Sequence, residues 1–338
     1  MEEVRIEATK DELERCEINE WFPMFEEVSF KTKIIKLPQS FVNYLLDEEA
    51  PLPKEAYPIV SEELKSYNSE IDREKYEKEE EDLKREEKKY DFKELEEKIG
   101  KTVEEYKAVF PKLNWSSPKD ACWVTTSGNL KCTSASQVFL LLKSSDFISH
   151  DLSTILENNE NKRKFPGGNR EREVFLALRK FYSILPSQEF RCFVKNRKLV
   201  AVCQRNCDNF FQFLLEKEEE YKERISNFFR QQVEKKFVDP NFVFDVYVTQ
   251  NGRVYLVDFN VWGTKTDPLM FEWKELEELE TSNNQVKMEI VRSETKIVPP
   301  LSSQYGVPVD VFNMENMEQW IEVMKKARNE QTKEDERN

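Results

Sequence analysis

Two runs near the centre of the chain are aromatic and β-branched, each interrupted by one acid: Phe242-Val-Phe-Asp-Val-Tyr-Val-Thr249 and Arg253-Val-Tyr-Leu-Val-Asp-Phe-Asn260. They flank Asn251-Gly252, a strong signal for a two-residue hairpin turn, so Gln250 is predicted to pair with Arg253. Counting back along both strands sets Asp245 directly opposite Asp258, with Asn260 two residues on and on the same face. In that register Phe244, Val246, Val248, Tyr255, Val257 and Phe259 share an apolar face over a core. Val243, Tyr247, Val254 and Leu256 surround the acids on the other face, which reads as the wall of a cleft.

The same patterns place other elements. Residues 189–194 and 198–205 form a second hairpin around Asn196-Arg197, and residues 173–182 make an apolar run. Tyr221, Ile225, Phe228, Phe229 and Val233 recur at helical spacing within residues 216–236 and are read as core packing. In the first block, about 13–60, Trp21-Phe-Pro-Met-Phe25, Ile34-Ile-Lys-Leu-Pro38 and the spaced Phe41, Tyr44 and Leu45 predict a helix, a strand and a second helix ending before Pro51. Residues 67–101 are mostly Glu and Lys, with sparse apolar positions such as Ile71, Tyr76, Leu83, Tyr90 and Leu95. They read as a solvated helix or partly disordered connector with no chemistry of its own. Composition changes at Val109, where the folded body begins; residues 158–170 read as a polar loop. The resulting division is 1–66, 67–101, a body over 102–280, and a polar tail over 281–338 that returns to order near 309–323.

Carboxylates directly opposite each other across a ladder repel at Cβ separations of about 5 Å, so something positive is needed between them. Oxygen donors of the Asp245, Asp258 and Asn260 type suit a hard cation such as Mg²⁺, which commonly takes one or two carboxylates and completes its shell with water and phosphates. Two alternatives stay open: one acid is protonated, or a Lys or Arg bridges the pair.

Composition narrows the partners. The 338 residues carry 12% aromatics, enough for a sizeable core, yet the mean hydropathy is −0.74, so charge is concentrated in particular segments. A net charge of −14 argues against nucleic acid or an anionic membrane as the main partner and favours a protein with a basic surface. No stretch approaches a transmembrane helix, and Met1-Glu-Glu-Val-Arg5 lacks the layout of a signal peptide, so a cytoplasmic location is expected. Cys16, Cys122, Cys132, Cys192, Cys203 and Cys207 contain no CxxC pair and are read as buried small hydrophobes. His150, the one histidine, is read as a surface or loop residue beside Asp151.

A phosphate site needs donors, and with seven glycines and neither a GxxxxGK[ST] nor a GxGxxG motif, charged side chains must supply them. Lys112, Lys119, Arg191 and Arg205 are the candidates. Here a family likeness becomes specific. Pro111-Lys-Leu-Asn-Trp-Ser-Ser-Pro-Lys-Asp-Ala121, Lys143-Ser-Ser-Asp-Phe147, Glu189-Phe-Arg-Cys-Phe-Val-Lys195, Gln204-Arg205, Phe242-Val-Phe-Asp245 and Val257-Asp-Phe-Asn260 resemble, in order and spacing, the signature segments of the cell-division-cycle-protein 123 family. The likeness runs from about Arg15-Cys-Glu-Ile-Asn-Glu-Trp-Phe-Pro23 to about Trp273.

That resemblance implies an α+β, ATP-grasp-like fold in which two lobes with antiparallel sheets hold ATP and Mg²⁺ in the cleft between them. It also implies an assembly chaperone for eukaryotic translation initiation factor 2 that binds its gamma subunit and supports translation initiation and cell-cycle progression; a monomer is expected. By the same resemblance Lys112, Trp115, Ser117 and Lys119 contact phosphate and nucleotide. Arg179, Lys180 and Phe181 belong to the adenine-binding connection, Glu189 lies near the ribose, and Arg191 and Arg205 lie near the phosphates. Asp245, Asp258 and Asn260 match the magnesium ligands and complete the ATP contacts. The chain departs from the family pattern at Phe175, where an acidic residue is frequent, and at Phe181, where Trp is common; its connector is a mixed Glu and Lys run.

Two other readings use the same platform. An ATP-grasp ligase would activate a carboxylate as an acylphosphate and needs an acceptor pocket, for which no residues stand out. A kinase would need an HRD-type loop and a DFG motif, and Asp258-Phe-Asn260 ends in a ligand where DFG has a glycine. No catalytic residue is assigned.

Overall fold

The computed structural model describes residues 7–47, 49–50, 90–125, 127–164, 172–280 and 285–293. Expectations for 51–89, 165–171, 281–284 and 294–338, including order near 309–323, lie outside the described residues. The chain divides into two compact units: one takes the chain through Thr32 and resumes at Tyr182, and the other takes Lys33–Phe181. Both are α+β. Among the described residues no helix is long and apolar enough to cross a membrane.

The first unit is built on a five-stranded sheet of order β7-β6-β4-β5-β8: β4 Glu189–Lys195, β5 Lys198–Gln204, β6 Phe242–Val248, β7 Val254–Val261 and β8 Lys287–Glu289. One face is covered by aromatic packing in which Phe237 stacks on Phe259 at 4.1 Å, with Phe242, Phe244 and Phe229 around them. At one end of the opposite face, Phe193 and Val243 pack under Trp262, Phe271 and Trp273. The segment over them is tied down where Trp273 Nε1 donates to Thr266 O (3.0 Å) and Thr266 Oγ1 to Val261 O (2.6 Å).

The sheet is mixed, not purely antiparallel, because β8 runs parallel to β5. It comes from the stretch expected to be polar tail. Three residues are too short to show a period, and only burial of Met288, Ile290 and Val291 reveals the strand. The N-terminal α1 (Lys10–Arg15) was likewise not expected, although Thr9 and Glu12 form a capping box. α2 (Ile18–Phe25) follows as expected and buries Trp21 and Phe25 against Phe259.

The second unit carries a three-stranded sheet, β1-β3-β2, from β1 Thr32–Lys36, β2 Val109–Lys112 and β3 Phe175–Lys180. Around it lie α3 Gln39–Leu46, α4 Lys93–Tyr106, α5 Ala135–Lys143 and α6 Asp146–Lys164. α4 takes the helical alternative for the end of the 67–101 stretch, but packed on one side where a solvated helix was expected. Leu95, Ile99, Thr102 and Tyr106 recur at helical spacing and are buried, and the helix passes through Gly100. α6 also runs into the expected 158–170 loop as far as Lys164, since the first strong breaker in the sequence is Pro166. In the first unit, α7 (Gln212–Phe228) begins four residues before the expected 216 and gives way to a π-type turn over Phe229–Val233; the last helix is α8, Trp273–Glu278.

The β6–β7 hairpin has the predicted facing acids by an unpredicted route. Thr249 N donates to Arg253 O and Gly252 N to Thr249 O, both at 2.8 Å, so the loop is Gln250, Asn251 and Gly252, with Gly252 at φ 81°. Val248 therefore pairs with Val254, Tyr247 with Tyr255 and Val246 with Leu256. A bulge at Val257 then restores the count, and Asp245 faces Asp258. The two one-residue departures cancel at the acids but not between them. Tyr255 joins Tyr247 on the acid face, while Val254 and Leu256 turn to the apolar face, where Leu256 is fully buried.

Candidate functional site

The register of β4 on β6 sets Arg191 opposite Asp245, so arginine and carboxylate meet without leaving the sheet. Arg191 Nε donates to Asp245 Oδ1 (2.8 Å) and Nη2 to Oδ2 (2.9 Å), a bidentate pair, and Nη1 donates to Asp267 O (2.6 Å). Arg205, just beyond β5, donates from Nε to Asp245 Oδ2 at 3.0 Å, and its backbone N–H donates to Glu189 O. Two arginines thus supply positive charge at Asp245, and the charge of Asp258 also acts on Arg205.

Burial alone would raise the pKa of Asp245, which is 2% exposed; the attraction and hydrogen bonds of Arg191 and Arg205 outweigh it and hold the carboxyl well below the usual range. Arg205 is shifted the other way. Burial favours its neutral form, but Asp245, Glu189 and Asp258 together raise its pKa.

Asp258 and Asn260 lie next along the same face, with Asn260 opposite Val243. The Asn260 Nδ2 is buried without a hydrogen-bond partner. Among the described residues no group of three or more His, Cys, Asp or Glu could hold a metal. The donor set Asp245, Asp258 and Asn260 nevertheless fits a hard cation that takes two carboxylates, an amide oxygen and the rest of its shell from a ligand. Towards the hairpin tip, Leu185, Tyr247, Gln250, Asn251, Arg253 and Tyr255 border an open hollow of about 640 Å³, which none of the three oxygen donors lines.

The second unit places the other candidates on β2, on β3 and in the loop after β2. Lys112, at the end of β2, is buried and donates from Nζ to Trp115 O. Trp115 lies under the Arg172 guanidinium at 5.7 Å, and the Lys119 N–H donates to Ser117 O (2.7 Å) as the exposed Lys119 opens a short 3₁₀ turn. Arg179 is buried on β3 over the Phe110 ring at 5.6 Å; Lys180 pairs with Val109, and the Phe181 N–H donates to Ala108 O.

The D123 family profile matches residues 21–315. This chain belongs to the D123 family. It is 36% identical over 331 residues to cell division cycle protein 123 of Yarrowia lipolytica, covering 95% of this chain and 84% of that one. To the translation initiation factor eIF2 assembly protein of Xenopus tropicalis it is 33% identical over 338 residues, covering 95% and 98%. The structure of Cdc123 from Schizosaccharomyces pombe superposes with a TM-score of 0.66 at 33% identity, over 85% of this chain and all of that one.

Within this D123 chain, some residues of the signature segments hold the fold. Asp120 accepts from Ser145 Oγ (2.6 Å) and Asp146 N (2.7 Å) at the start of α6, and Lys143 Nζ donates to Tyr44 O (2.8 Å) at the end of α3. Two loop-fixing residues were missed. Asn114 donates to Glu173 O (3.0 Å) and accepts from Phe175 N (2.9 Å); Asp151 accepts from Ser116 N (2.8 Å) and Ser116 Oγ (2.9 Å). Burial raises the Asp151 pKa, against the hydrogen bonds from Ser116. His150 is on the surface of α6, as expected, while its neighbour is buried, and the sole signal for Asp151 was its helical phase with the buried Ile148, Leu152 and Ile155. The six cysteines are free, all buried except the half-buried Cys122.

Proposed function

We propose that this chain is an assembly factor for eukaryotic translation initiation factor 2 in the cytoplasm, where it binds the gamma subunit and promotes formation of the heterotrimer with ATP and Mg²⁺ bound. The observation that carries the assembly reading is the match across 95% of the chain to a relative named translation initiation factor eIF2 assembly protein. Support for the nucleotide comes from the site itself: facing carboxylates, two arginines on the same sheet face and a buried amide nitrogen with no partner. Asp258 and Asn260, with Asp245, would hold the cation, and Mg²⁺ bound there would neutralise charge on the β- and γ-phosphates. Arg191, Arg205 and Glu189 complete the candidate set on this sheet. Lys112, Trp115, Ser117, Lys119, Arg179, Lys180 and Phe181 are proposed nucleotide contacts on the strength of the family pattern. The free cysteines agree with a reducing compartment.

Calorimetric titration of the full chain with ATP and Mg²⁺, wild type against Asp258→Ala, tests the nucleotide half. Asp258→Ala is expected to lose Mg–ATP binding while retaining its far-ultraviolet circular dichroism. An unfolded variant, or a folded one with unchanged affinity, would remove the metal assignment. Capture of purified gamma subunit by the immobilised chain tests the assembly half, and no capture with or without ATP would reject it.

A further inference from the structure

The two arginines on Asp245 are held very differently. Arg191 spends three donors on Asp245 Oδ1, Asp245 Oδ2 and Asp267 O, and its side chain is 7% exposed. Arg205 reaches Asp245 through Nε to Oδ2 alone, and its side chain is 26% exposed. We infer that Arg191 is a positioning residue that holds Asp245, and that Arg205 is a displaceable counter-charge that keeps a cation off Asp245 and Asp258 until a polyphosphate draws it away.

Charge and geometry support this division. Asp245, Glu189 and Asp258 all act on Arg205, so three carboxylates stand against two guanidinium groups. Withdrawing Arg205 leaves an excess of two negative charges, the charge of one divalent cation. Asp245 Oδ2 is shared by Arg191 Nη2 at 2.9 Å and Arg205 Nε at 3.0 Å. When Arg205 leaves, Asp245 therefore stays in its bidentate pair and Oδ2 regains a lone pair for a metal. Phosphate is a competent competitor, because guanidinium binds it through two parallel N–H···O bonds where Asp245 engages Nε alone. A cation and a polyphosphate then enter together, each removing an obstacle to the other, which is positive coupling between two ligands.

The inference rests on the nucleotide reading above, and the test separates the two. Mn²⁺ is titrated into the full chain without nucleotide, free Mn²⁺ being read by electron paramagnetic resonance. Wild type is expected to leave Mn²⁺ largely free, and Arg205→Gln to bind it at least about tenfold more tightly. Inorganic tripolyphosphate is then titrated without metal. Arg205→Lys, which keeps the charge and so the fold, is expected to leave Mn²⁺ excluded and to weaken tripolyphosphate binding about tenfold, since a point charge replaces the fork. Equal Mn²⁺ affinity in wild type and folded Arg205→Gln overturns the inference; so does unchanged tripolyphosphate affinity in Arg205→Lys, an arm that decides the matter if the Gln variant does not fold. If either result comes with normal Mg–ATP binding by wild type, the inference alone fails. If wild type does not bind Mg–ATP, the nucleotide reading fails with it.

Discussion

The two hairpins of the mixed sheet invert what their turns suggest. Asn196-Arg197 lacks glycine, yet it makes the tight two-residue turn, with φ of 49° and 61°. Asn251-Gly252, with the stronger local signal, ends up in a three-residue loop that spends its glycine on one position at φ 81°. The difference lies in what each tip touches. Asn196 N donates to Asn241 Oδ1 and Arg197 N to Pro240 O, both at 2.7 Å, while Arg197 Nη2 donates to Val238 O at 2.5 Å. Neighbouring segments thus hold two side-chain-bearing residues in the left-handed region, against a preference of about 1–2 kcal/mol each. At the other tip Arg224 Nη1 donates to Gly252 O (3.1 Å), and the mismatch of register is absorbed downstream at Val257. A turn motif states a local preference; the ladder and its neighbours choose among the turns that satisfy it.

The largest effect is expected at the crossing both hairpins share, where Arg191 of the first pairs with Asp245 of the second. Arg191→Ala leaves a buried carboxylate without its bidentate partner and should destabilise the first unit by about 3–5 kcal/mol in urea denaturation; a loss below about 1 kcal/mol would mean that Arg205 alone satisfies Asp245. Gly252→Ala comes next. A Cβ there meets the Arg224 guanidinium and the backbone stays at positive φ, so about 2 kcal/mol should be lost. Asn241→Ala removes the outside acceptor of the Asn196 N–H and should cost about 1 kcal/mol, with amide exchange at residues 195–198 rising more than at 249–253. Deleting Gln250 should change stability least, within about 0.5 kcal/mol. It leaves Thr249 closing on Arg253 across Asn251-Gly252 alone, the two-residue turn, with every downstream pair retained; nuclear Overhauser contacts between Asp245 and Asp258 would show whether the register survives.

Elsewhere the legible elements were those whose own side chains repeat over two or more turns or pairs. The Phe and Tyr stripe of α7, the strands β4 to β7, and the meeting of Asp245 with Asp258 were all readable, the last because errors in loop length and bulge cancelled. α4 was underrated because charge dominates its composition while its buried positions recur only every third or fourth residue. Asp151, a lone carboxylate inside α6, gave no signal of its own beyond its phase.

By itself the sequence determined the α+β class, the family through several ordered segments, the core stripes and the chemical character of the candidate site, since each is a property of residue type at short range. Only the tertiary structure decided that β8 joins the sheet, that Tyr255 and Leu256 exchange faces, that the chain divides at Thr32 and again at Phe181, and that Arg191 and Arg205 converge on one carboxylate. The reason is physical. These outcomes depend on hydrogen bonds and charges brought together from segments far apart in the chain, 87 residues where Val291 N donates to Gln204 Oε1 and 224 where Arg15 Nε donates to Asp239 Oδ2, and no local preference carries that information.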